Sequence, residues 1–75
     1  MPTTLTLGPR HTLAQDVVYA LPARACYIFA SIASQISNDD AFSASQAVSA
    51  NTPTVAAGGF VRCTTGAPVV TLKAL

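Results

Sequence analysis

Breaks recur along this chain at short intervals: Gly8-Pro9, Pro22, Ser37-Asn38-Asp39-Asp40, Asn51-Thr52-Pro53, Gly58-Gly59 and Thr65-Gly66-Ala67-Pro68. Proline removes a backbone donor, glycine admits positive φ, and Ser, Asn and Asp bond their own backbone, so each cluster ends a regular element. The stretches between them are short and carry β-branched and aromatic residues. Several short strands at spacings of about 8–12 residues predict an all-β fold, a small antiparallel β-sandwich or barrel.

Each stretch has its own signature. Thr3-Thr4-Leu5-Thr6-Leu7 alternates hydroxyl and leucine, which predicts a short strand with Leu5 and Leu7 on one face. Pro2 and Pro9 disfavour helix, so residues 1–12 read as an extended N-terminal arm ahead of a single β domain over 13–75. Leu13 to Ala20 reads as a strand covered on both faces, and Pro22 suits an edge or a bend. From Arg24 to Ile32, Cys26, Ile28, Ala30 and Ile32 share one face, and Tyr27 and Phe29 share the other. A strand is favoured, although Phe29, Ile32, Ala33 and Ile36 also fall at helical spacing. Ala41 to Ala50 reads as a strand in an alanine-rich stretch that also tolerates helix. Phe60–Thr64 and Val69–Lys73 flank a glycine-containing loop and predict a C-terminal β-hairpin, with Val61, Cys63, Val70 and Leu72 on one face.

Size sets the energetic problem. A domain of 75 residues buries only about 60% of its unfolded surface, and apolar burial barely offsets roughly 1.5 kcal/mol of ordering entropy per residue. Disulfides, a structural metal or oligomerisation are the usual remedies. Zinc needs four Cys or His ligands, and only Cys26, Cys63 and His11 are present, with no CxxC pair. One Cys26–Cys63 bridge is open to the chain, but small secreted scaffolds use several, and two buried thiols are the plainer reading. Oligomerisation remains. A net charge of +1 also favours association over mutual repulsion.

Chemistry is sparse. Only 9% of the residues are charged and none is glutamate. His11 lies in a segment bounded by Pro and Gly, without a Ser-His-Asp or Cys-His arrangement around it, and reads as a solvated loop residue. Asn38-Asp39-Asp40 lacks the spaced ligands of a calcium loop. Gly58-Gly59 lacks the Lys-Ser/Thr of a phosphate-binding loop. No cofactor and no metal are expected, and an enzyme is not. Arg10, Arg24, Arg62 and Lys73 are spread along the chain, so the aromatics Tyr19, Tyr27, Phe29, Phe42 and Phe60 have no basic interleaving and no nucleic acid is expected. No signal peptide is visible, and Ala23 to Ala33 is too short to span a bilayer, so no membrane partner and cytoplasmic synthesis are expected. Arg24 and Arg62 fit two readings, a stem laid along the outer face or a contact to another subunit.

The segment Ala57-Gly58-Gly59-Phe60-Val61-Arg62-Cys63-Thr64-Thr65-Gly66-Ala67-Pro68-Val69-Val70-Thr71-Leu72-Lys73, with Ala20-Leu21-Pro22-Ala23-Arg24-Ala25 upstream and a middle rich in Ser and Thr, resembles small virion proteins of tailed bacteriophages. The resemblance implies a structural protein of capsid decoration (cement) type, located on the capsid surface of the virion. It implies the major capsid protein and the chain itself as partners, with a homotrimer favoured. It brings no catalytic residues. Leu5, Leu7, Arg24 and Arg62 are the expected subunit or capsid interface, with the arm lending Leu5 and Leu7 to a neighbour. A β-sandwich binding module of a tail or fibre, carbohydrate-binding through Tyr19 or Tyr27, is the alternative.

Overall fold

The computed structural model describes residues 2–75. Eight strands are found among them: β1 (Arg10–Thr12), β2 (Tyr19–Ala20), β3 (Cys26–Ala30), β4 (Ser34–Ser37), β5 (Gln46–Val48), β6 (Thr54–Ala56), β7 (Phe60–Arg62) and β8 (Val69–Ala74). They form two four-stranded sheets, ordered β1-β8-β3-β6 and β2-β7-β4-β5. Every strand pairing is antiparallel. The sheets pack on one another as a sandwich, and the expected alternative of a closed barrel is not formed.

Apolar side chains alternate as a half-buried strand requires. In β3, Cys26, Ile28 and Ala30 are buried and Tyr27 is exposed. Val70 and Leu72 of β8 point the same way as Ile28, and Val61 of β7 and Val48 of β5 meet them from the second sheet. Leu5, Leu13 and Leu21, all from outside the strands, complete this core, with Leu7 and Tyr19 packed against it. Cys26 and Cys63 are fully buried and free. Burial pushes the Cys26 thiol up. Burial also acts to raise Cys63, but hydrogen bonds from Thr65, Ser34 and Gly66 outweigh it and hold that thiol below its ordinary value.

The chain crosses from one sheet to the other at every connection except the β4–β5 hairpin. This overturns the expected C-terminal hairpin. Strands β7 and β8 lie in opposite sheets, and Val61 meets Val70 and Leu72 only as members of one shared core. Val61, Cys63, Val70 and Leu72 are all fully buried, as their alternation requires, yet no ladder joins the two strands.

The extended arm is also corrected. Thr3 and Leu5 bracket Ala20 with two backbone bonds of 2.9 Å, closing a parallel bridge between Thr4 and Ala20 on the edge of the second sheet. Gly8 N–H then donates to Leu72 O, β1 pairs with β8, and Leu13 N–H donates to Pro68 O. Residues 3–13 are thus laced to both sheets, because each backbone group that enters the interior needs a partner. Met1, the first residue of the expected arm, lies outside the described residues.

Two expected strands shrink. Only Tyr19–Ala20 of the 13–20 stretch is strand, since Asp16 turns at φ 64° and its N–H donates to Cys63 O. Within 41–50, only Gln46–Val48 is strand, and Phe42 sits in a turn at φ 55°. The competing helix over 29–36 does not form. Ser31–Ala33 instead carries the chain from β3 in one sheet to β4 in the other.

Candidate functional site

The four residues expected at an interface are scattered by the fold. Leu5 is 3% exposed in the chain's own core, and Leu7 packs against that core. Leu5 therefore offers a neighbour no surface, contrary to the expected strand-lending role, while Leu7 stays half-buried. Arg24 is exposed in the bend before β3 rather than inside a strand. That bend is fastened to Gly58 and Gly59 by the bonds Gly58 N–H to Pro22 O and Leu21 N–H to Gly59 O.

Arg62 is engaged within the chain. It projects from the outer face of the second sheet, opposite Gln35. Its Nε–H donates to Gln35 Oε1 at 3.0 Å, and its guanidinium carbon lies 4.2 Å from the centre of the Phe42 ring. Phe42 is buried, although it belongs to a loop outside the main core. A left-handed φ is costly for an aromatic residue, and the arginine lid with the hydrogen bonds of the same loop holds it in place. Replacing Arg62 by Ala is expected to lower stability by about 1–2 kcal/mol through loss of the cation–π contact and the hydrogen bond. Urea denaturation would check this, with Arg62→Lys recovering only part, because an ammonium lacks the flat stacking surface.

The loop under Arg62 is organised by Asp39. Its Oδ1 accepts from the Ser37 hydroxyl at 2.8 Å and from Ser43 N–H at 3.1 Å. Bonds from Ser43, and then from Ser37, hold its carboxyl below the ordinary value. A lowered folded-state pKa contributes stability above the unfolded-state value, and that contribution is lost as pH falls through the folded-state value. Asp39→Asn is expected to flatten the acid side of a melting-temperature profile. Superimposable acid limbs for the two proteins would contradict it.

His11 is half-buried in β1, not a free loop residue. Its Nε2 lies 3.2 Å from the Thr6 N–H and 3.0 Å from Thr6 O, which ties the imidazole to the preceding turn. Tyr19 is similarly occupied, its hydroxyl accepting from Ala14 N–H at 2.8 Å. Among the described residues, no three His, Cys, Asp or Glu side chains come together as metal ligands would.

Exposed aromatic and aliphatic side chains gather on the outer face of the first sheet. The register places Val55, Tyr27 and Lys73 in one row across β6, β3 and β8. Phe29, Thr71 and Arg10 form the next row, and Val69 and Thr12 a third. Tyr27 is 39% exposed, Val55 54% and Val69 37%. Lys73 Nζ stands 5.6 Å from the centre of the Phe29 ring. Beside Val55, between β6 and the β4–β5 hairpin, lies a groove of about 160 Å³ lined by Ile36, Ser37, Gln46, Val55, Ala56 and Gly58. The outward pair Tyr27 and Phe29 is legible from the alternation of β3. The neighbours of that pair are not, because alternation reports a face and not which strand lies alongside.

Compared with known proteins, the chain matches no family model, no curated protein and no solved structure.

Proposed function

We propose that the protein is an accessory structural subunit of a tailed-phage virion, a capsid decoration protein that sits on the capsid surface and binds the major capsid protein as a homo-oligomer, with a trimer favoured. The outer face of the first sheet carries this reading. Among the described residues, exposed aromatic, aliphatic and cationic side chains adjoin there on a strand-built surface, whereas Leu5, Arg62, His11 and Tyr19 are used up within the fold. Resemblance to small virion proteins supports the reading through the sequence of residues 57–73, although that segment spans two sheets instead of forming the hairpin its sequence predicts.

Magnitudes favour repeated display. Four strands spaced at about 4.8 Å, with alternate residues ~7 Å apart, make a face of roughly 200 Å². A stable interface takes about 800 Å² from each partner, close to a fifth of the 4195 Å² this chain exposes. A single copy therefore binds weakly, and an oligomer multiplies the contact through effective concentration.

The test is co-sedimentation of the purified protein with capsids assembled from the major capsid protein encoded in the same genome, alongside light scattering for the oligomer mass. Saturable binding is expected, with Tyr27→Ser weakening it about tenfold or more, as for an aromatic anchor worth about 1–2 kcal/mol. A monomer that leaves those capsids bare would remove the proposal. Binding to glycans lost with Tyr27→Ser would then favour the carbohydrate module, since the hydroxyl of Tyr19 is already engaged within the chain.

A further inference from the structure

We infer that the outer face of the first sheet recognises an acidic protein surface, one whose carboxylates flank an apolar patch. This rests on the docking role proposed above and names the chemistry of the partner.

Charge is the first argument. Arg10 and Lys73 lie on the same face as Tyr27, Phe29, Val55 and Val69, and both cations are exposed. Among the described residues, no Asp or Glu side chain of a strand joins them. Glutamate is absent from the chain, and Asp16, Asp39 and Asp40 all lie in turns or bends outside the strands. Two copies meeting face to face would bring four cations together with no counter-charge, which disfavours self-association through this surface. A partner that supplies carboxylates opposite Lys73 and Arg10 removes the repulsion and gains charge-assisted hydrogen bonds.

The apolar part sets the class of partner. Val55 and Val69 carry no groups that read phosphate or sugar, and two cations neutralise too few phosphates for useful affinity at physiological salt. An apolar centre that includes aromatic side chains, flanked by charged groups such as Arg10 and Lys73, matches the apolar core and polar rim of a protein interface. Val55 also borders the groove beside β6, lined by Ile36 and Ala56 as well as by the polar Ser37 and Gln46. A partner side chain seated there extends the contact beyond the small sheet face.

A photo-crosslinking side chain tests this while the partner is still unidentified. Val55→p-benzoylphenylalanine places the probe on the face, and Ala47→p-benzoylphenylalanine places it on the outer face of the second sheet as a control. Both variants are expressed as the full chain in the cell that carries the gene, checked for a wild-type melt, irradiated, and the adducts are sequenced by mass spectrometry. Adducts from position 55 are expected on a protein segment that contains Asp or Glu. Lys73→Glu should lower their yield about tenfold, as for a reversed interfacial pair, and Asp or Glu→Lys in the adducted segment should restore it. Adducts only to nucleic acid, to lipid, to a second copy or to a segment without carboxylates would overturn the inference, as would no adduct at position 55. An acidic partner other than a capsid protein would uphold this inference while removing the decoration role. Capsid protein held through position 47 alone would do the reverse.

Discussion

Removing residues 2–8 is expected to unfold the domain, not to trim an arm from it. Leu5 is 3% exposed within the core, and emptying such a site costs about 2–5 kcal/mol. The bonds from Leu5 N–H to Ala20 O, from Ala20 N–H to Thr3 O and from Gly8 N–H to Leu72 O would go with it, at about 1 kcal/mol each. A domain of this size is stable by only about 4–11 kcal/mol, so the combined loss is comparable to the whole. Far-ultraviolet circular dichroism with a thermal melt decides the matter. A cooperative transition within a few degrees of the full chain would show that the segment is dispensable. Leu5→Ala is the graded version, expected to cost about 3 kcal/mol and to lower the melting temperature by ~15 °C.

Gly59→Ala is expected to be nearly as damaging, though it adds a single methyl group. Gly59 has φ +84°, and a Cβ there would stand 2.3 Å from the carbonyl oxygen of Ser37. That oxygen belongs to the backbone of β4, whose Ser37 is in register with Phe60 of β7. The obstacle therefore cannot rotate away, and the two strands would have to part. A destabilisation of about 3–5 kcal/mol is expected, in the range seen where backbone conformation and packing are violated together. Gly8→Ala separates the two causes. Gly8 also has positive φ, but nothing lies within 4 Å of its added Cβ, so only the conformational cost of about 1–2 kcal/mol applies. Equal losses at both positions in urea denaturation would mean that the approach of Ser37 does not matter.

These two cases show what the residues reveal on their own and what they do not. The strand over Cys26–Ala30, with Ile28 inward and Tyr27 outward, is readable because a two-residue period reports burial directly. So is the all-β class, from the density of breaks between short β-branched stretches. The partner of each strand is not readable. Val61 and Val70 share a core whether β7 and β8 pair side by side or face each other across a sandwich, and the same alternation serves both. Loop chemistry hides in the same way. Phe42 continues an alternating pattern on paper, but the bonds of Asp39 and the lid of Arg62 turn it into the floor of a loop. The candidate surface is half legible. Tyr27 and Phe29 are marked by alternation, whereas Arg10 and Lys73, far apart in the chain, reach them only because β8 lies between β1 and β3.

That placement of β8 has a consequence for the making of the protein. Of the eight strands it is the last to leave the ribosome, yet it is an inner strand of its sheet, flanked by β1 and β3. Until it emerges, β1 has no neighbour and β3 lacks its longest ladder. The nascent chain thus carries unpaired edges and uncovered leucines until β8 has emerged. Non-local pairings of this kind close slowly, and incomplete sandwiches of this kind are prone to aggregate. Fragments ending before Val69 are expected to stay unfolded, because β1 would have no ladder and β3 would keep only its pairing with β6.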